Sequence, residues 1–108
     1  MIEQLTAPDL AAWLADDKRE APQLLDVREG WEFERCAIPG STLMPMGSVP
    51  GRSEELDPER PLVCICHHGG RSMQVAMFLA QRGFTKVSNL SGGVHAWALQ
   101  VDPQMPTY

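Results

Sequence analysis

An α/β fold, with a central parallel sheet flanked by helices, follows from three features of this 108-residue sequence. Short apolar runs alternate with stretches of helical period, the pattern of a chain that pairs strands in parallel through crossover helices. The segment PLVCIC (61–66) reads as a strand buried on both faces, which parallel sheets require. The chain is also long enough to close one core and too short for two. We therefore expect a single domain over residues 1–100, with a tail at 101–108.

Taken in order, Thr6-Ala7-Pro8-Asp9 is a helix start, with the threonine hydroxyl free to cap and a proline in the first turn. Leu10, Trp13 and Leu14 share a face of that helix. After the polar break DDKREAP, Gln23 to Val27 forms a short apolar strand ending near Asp26. Arg28 to Arg35 has room for two helical turns, closed by Ile38-Pro39-Gly40, and Thr42 to Met46 is a second short strand. Proline, glycine and charge dominate residues 47–60, which predicts a loop with one helical turn at most. In the next strand Pro61 stands at the first position, where strands tolerate proline.

Beyond His67-His68-Gly69-Gly70, Ser72 to Arg82 carries Met73, Ala76, Met77 and Ala80 on one helical stripe, with Gly83 as its cap. Phe84 to Leu90 is another strand. Gly92-Gly93 opens a last short helix holding His95 and Trp97. Ligands gather at the carboxyl edge of parallel sheets. Asp26 with Arg28, 46–48, Cys66 to Arg71 and 90–93 all follow strands, so one edge should collect all four.

Nine basic and 14 acidic residues give a net charge of -5. With no basic cluster, nucleic acid and anionic membranes are excluded as expected partners. No long apolar stretch and no signal-peptide pattern occur, so a cytoplasmic protein is expected. Three cysteines are an odd count for a disulfide framework and suggest free thiols.

The stretch CICHHGGRS (64–72) concentrates the chemistry. Cys66 ends a buried strand and Ser72 begins a helix, while Gly69 and Gly70 permit backbone angles that a β-carbon would forbid. Inward-pointing amides beside a helix N-terminus make a nest for an anion or a thiolate. Arg71 adds a planar fork suited to sulfur or phosphorus oxyanions. Cys66 could instead be a small apolar residue ending a strand, but the loop that follows favours a reactive role. Cys64, on the same face and deeper, is expected to pack in the core.

Cys64, Cys66, His67 and His68 are competent metal ligands, yet ligands crowded at one strand end can hardly enclose a tetrahedral ion, and His95 stands apart in sequence. Neither a metal nor another cofactor is expected. His67 or His68 could serve as a base to the thiol, although adjacent side chains on a tight loop diverge. Lining the entrance and attracting an anion is the preferred role for both.

With these residues in place, the sequence resembles the rhodanese-like sulfurtransferases in their small single-domain form, over nearly its whole length. Besides CHHGGRS, LLDVREGWEFERCAIPGS and GFTKVSNLSGGVHAW match two further family motifs in the right order. The resemblance implies a three-layer rhodanese-like fold. It also implies a Cys66 that takes the outer sulfur of a donor such as thiosulfate as a persulfide and passes it to cyanide or a thiol, including a protein thiol. Arg71 would bind the anion, His67, His68, Gly69 and Gly70 would line the site, and Asp26, Arg28 and Glu32 would brace it from behind. Cysteine and arginine are separated by four residues, one fewer than in related phosphatases and arsenate reductases, which makes those activities the weaker alternative. A non-catalytic interaction module is the other. Cys36-Ala37 replaces the family's usual Gly-His, and Cys36 is read as a neutral substitution rather than a thiol that resolves the persulfide. Trp31, Phe33 and Trp97 are read as core aromatics.

Overall fold

A computed structural model describes residues 2–108. Its elements run β1 (Glu3–Leu5), α1 (Ala7–Ala15), β2 (Gln23–Asp26), α2 (Gly30–Arg35), β3 (Thr42–Leu43), α3 (Val49–Arg52), β4 (Leu62–Ile65), α4 (Gly70–Gln81), β5 (Val87–Leu90) and α5 (Gly93–Gln100). The strands form one five-stranded sheet in the order β1-β5-β4-β2-β3, with every pair parallel. No helix among the described residues is long and apolar enough to cross a membrane.

Alternation along the strands divides the core in two. Leu24, Val63, Ile65 and Leu90 join Leu10, Trp13, Val94 and Trp97 beneath α1 and α5. Leu25, Leu62, Cys64 and Val87 join Val75, Ala76, Leu79 and Val49 beneath α4 and α3. Parallel strands that lie side by side in register, such as β2 and β4 with Leu25 beside Cys64, bring their carboxyl ends to one edge. That edge was expected from the alternation, and the parallel sheet produces it.

The cap at Thr6 forms as expected, with the Asp9 amide donating to Thr6 Oγ1 at 3.1 Å and the Thr6 amide donating to the Asp9 carboxylate at 3.2 Å. Other details differ. Leu14 is exposed, and the buried face of α1 is Ala7, Leu10 and Trp13. On α4 the buried stripe is Ser72, Val75, Ala76 and Leu79, and Met77 is half exposed. This helix is apolar nearly all round, so two adjacent stripes satisfy the period, and its docking on β4 and β5 selects the one that places Ser72 under Cys66. Residues 46–55 are more helical than expected, with short 3-10 turns on either side of α3. β3 is only two residues long, and the edge strand β1 has no counterpart in the sequence reading. Trp31, expected in the core, is 63% exposed, whereas Trp97 is buried.

The N-terminus of α5 abuts the loop after β4. The Val94 amide donates to the Cys66 carbonyl at 2.9 Å and the His95 amide to the His67 carbonyl at 3.1 Å. Gly93, at φ +59°, makes this approach possible, because a β-carbon there would stand 2.3 Å from the Cys66 carbonyl oxygen. Gly93→Ala should combine that clash with an unfavourable φ and cost at least about 2 kcal/mol, read from the urea midpoint of unfolding.

Candidate active site

Cys66 lies just past the end of β4 and is almost completely buried. The Gly69 amide donates to its Sγ at 3.0 Å, and the Ser72 hydroxyl stands 3.3 Å from the same sulfur. Gly69 can turn its amide inward because it adopts φ +109°, and it forms the N-cap of the 12-residue helix α4, whose dipole adds partial positive charge there. A β-carbon at this glycine would only touch the Gly92 amide and the Leu90 carbonyl at 3.4 Å, so it is the left-handed φ that calls for glycine.

A neutral relay backs the sulfur. The Ser72 hydroxyl makes a short contact with Asn89 Oδ1, and Asn89 Nδ2 donates to the Gly69 carbonyl at 3.1 Å and to Gln4 Oε1 at 3.0 Å. With both amide hydrogens committed, Asn89 presents an acceptor to Ser72. The serine has one proton, so it can donate to Asn89 while accepting from a Cys66 thiol, or donate to a negatively charged sulfur instead. Ser72 and Asn89 were absent from the expected site. Asn89 is a buried polar residue in the middle of a strand, which is the signal that could have marked it.

A charged network occupies the other side. Arg71 Nη1 and Nη2 donate to the two Glu32 carboxylate oxygens at 2.7 and 2.8 Å. Glu32 Oε1 also accepts from the Glu29 amide at 3.0 Å, and Oε2 from the Tyr108 hydroxyl at 2.8 Å. The Arg71 pair holds the Glu32 carboxyl down at about 2, against the opposing effect of burial. The same pair keeps the Arg71 guanidinium above its ordinary value, so both partners remain charged.

Behind them Arg28 and Asp26 are wholly buried. Arg28 donates to Asp26 through Nε and Nη2, to the Cys36 carbonyl through Nη2 at 2.7 Å, and to the Tyr108 hydroxyl through Nη1 at 2.9 Å. Burial opposes the Arg28 cation, but the hydrogen bonds it donates to Asp26 and Tyr108 outweigh it and hold the guanidinium above its ordinary value. Tyr108, at the end of the segment 101–108, joins the two arginine networks, and burial pushes its own hydroxyl up to about 12. Nothing in its sequence context pointed to the site.

Cys64 packs under α4 on the same sheet face as Cys66, and burial raises its thiol to about 12, as suits an inert core residue. Cys36 belongs to the core on the opposite face and lies against Arg28. All three thiols are free. The histidines form a third group. The His67 ring stacks on Tyr108 with centroids 3.9 Å apart and lies at the same distance from the His68 ring. Burial, then the neighbouring His68, hold His67 below its ordinary pKa. His95, set apart in the sequence reading, stands 5.0 Å from His68, centroid to centroid. The structure thus gathers Cys66 to Gly69 in one loop, Gly70 and Arg71 in the first turn of α4, and Asp26, Arg28 and Glu32 behind Arg71, with Arg71 paired to Glu32.

Residues 6–100 match the sequence profile of the rhodanese-like domain. The chain is 43% identical over 90 residues to rhodanese-like/PpiC domain-containing protein 12, chloroplastic, of Arabidopsis thaliana, a match covering 80% of this chain and 30% of that protein. A protein named sulfurtransferase from Allochromatium vinosum is 36% identical over 98 residues, with 91% of this chain and 90% of the relative covered. Among solved structures, a rhodanese-like domain protein from Staphylococcus aureus superposes with a TM-score of 0.83 at 26% identity, over 99% of each chain.

Two substitutions probe the charged network. A carboxylate held below its ordinary value of 4.5 stabilises the fold above that pH, and the contribution is lost as the pH falls towards about 2. Glu32→Gln should therefore be less stable than wild type at neutral pH, with the gap closing through that acid window, as followed by urea unfolding at successive pH values. Tyr108→Phe leaves Arg28 and Glu32 each one partner short and should cost about 1–3 kcal/mol by the same measurement.

Proposed function

Because the chain belongs to the rhodanese-like domain family, we propose that it is a sulfurtransferase that carries sulfur on Cys66, accepting it from a small anionic donor such as thiosulfate and passing it to cyanide or a thiol. The observation that carries this reading is the Gly69 amide 3.0 Å from Cys66 Sγ at the N-terminus of α4. A sulfur nucleophile needs fixed positive partial charge around it, and the Gly69 amide with the N-terminus of α4 supplies it.

In the first half-reaction the Cys66 thiolate attacks the outer sulfur of thiosulfate. A sulfur–sulfur bond forms to Cys66, the donor's own sulfur–sulfur bond breaks, and sulfite leaves with its electron pair. The terminal persulfide sulfur then carries the negative charge, facing the loop amides of 67–70. In the second half-reaction the acceptor attacks that outer sulfur and Cys66 departs as thiolate, so no external oxidant or reductant is consumed. Gly69 and Gly70 admit the anion close to the backbone, and His67 and His68 shape its entry.

Arg71 has five N–H donors, of which Glu32 engages two, so the remainder are free to orient the donor's oxygens. Asp26, Arg28 and Glu32 hold it in that orientation. A cytoplasmic setting, in which thiols stay reduced, suits a chain whose three cysteines are free. The thiol pushed up to about 12 at Cys64 leaves that residue without competing nucleophilicity.

Reduced protein treated with thiosulfate should gain the mass of one sulfur atom, lose it to cyanide with release of thiocyanate, and show neither change as Cys66→Ser. No gain with thiosulfate or any alternative sulfur donor would overturn the proposal in favour of an interaction module.

A further inference from the structure

His67, His68 and His95 come from two segments of the chain, the loop after β4 and the first turn of α5. One ring nitrogen from each lies within 4.8 Å of the others. The two segments are fixed to each other by the backbone, through the His95 amide to the His67 carbonyl at 3.1 Å and the close approach of Gly93. The backbone segments that carry the three rings are therefore held together before anything binds.

His67 Nε2 and His95 Nδ1 are buried and have no hydrogen-bond partner. Whether such a nitrogen carries its proton or its lone pair, leaving it alone in the interior is costly, and native structures rarely do so without a compensating ligand. The cluster contains three imidazoles and no Asp or Glu side chain.

We propose that His67, His68 and His95 form a three-imidazole site for a borderline divalent ion of the Zn²⁺, Cu²⁺ or Ni²⁺ class, leaving one coordination position open at the sulfur-handling loop. Nitrogen donors without carboxylates select such ions over Mg²⁺ or Ca²⁺. Three nitrogens bound tetrahedrally at ordinary zinc distances stand about 3.3 Å apart. The spacing present therefore closes by roughly 1.5 Å. Rotation of the side chains supplies that movement, with His68 the exposed member. This site rests on the imidazole geometry alone and stands or falls separately from the sulfur chemistry of Cys66.

The test is a calorimetric titration with Zn²⁺ alone, on full-length protein carrying Cys66→Ala so that the reactive thiol cannot contribute. One equivalent should bind, with affinity reduced by about tenfold or more in His95→Ala. If His95→Ala fails to fold by circular dichroism, His68→Ala, at an exposed position, gives the same reading. Absence of binding below about 0.1 mM would overturn the site. So would binding that requires Cys66, or binding indifferent to the histidine substitutions.

Discussion

A guanidinium with no exposure to solvent must have its N–H groups met by protein, and Arg28 meets this demand by reaching into four parts of the chain. Its donors go to Asp26 at the end of β2, to the carbonyls of Glu32 and Cys36 in and just after α2, and to Tyr108 at the C-terminus. Removing any of these partners leaves a buried cation short of an acceptor. The pair with Asp26 neutralises the charge, and the two carbonyls set the position of α2. Because α2 carries Glu32, the constraint passes on to Arg71 and so to the loop that contains Cys66.

The loop is thus held from two sides by different means. On the charged side, Glu32 grips Arg71 through a two-pronged pair braced by Tyr108. On the neutral side, Asn89 ties the Gly69 carbonyl and the Ser72 hydroxyl, while the first amides of α5 tie the Cys66 and His67 carbonyls. With those carbonyls drawn outward, the amide of Gly69 turns towards the sulfur. This preorganisation comes mainly from backbone groups, which cannot swing away as a long side chain can.

What could be read in advance follows the same division. Four of the five strands, the capped first helix, the glycine loop and the shared edge were legible because each leaves a local mark, in apolar period, turn residues or cap chemistry. The pairing of Glu32 with Arg71 was not, since 39 residues separate them and no local pattern links the two. Tyr108 closes a proline-containing segment with no period, so its place between Arg28 and Glu32 depends wholly on how that segment folds back. His95 looked isolated because three-dimensional proximity to His67 arises from the approach of α5 at Gly93. The edge strand β1, three residues with only Leu5 buried, is too short to show alternation.

Arg71 is the residue whose meaning changes most between sequence and structure. A lone arginine beside a cysteine would make the loop a strongly cationic site, favouring any oxyanion according to its charge. Paired with Glu32 at 2.7 Å, it contributes little net charge. The remaining attraction comes from amides and the α4 N-terminus, which act over short range and depend on fit. Under the proposed chemistry the amides hold the outer sulfur of the persulfide, while the N–H groups of Arg71 that Glu32 does not engage orient the oxygens of the donor. The carboxylate that holds Arg71 in place therefore also limits the net positive charge that the site offers to an anion.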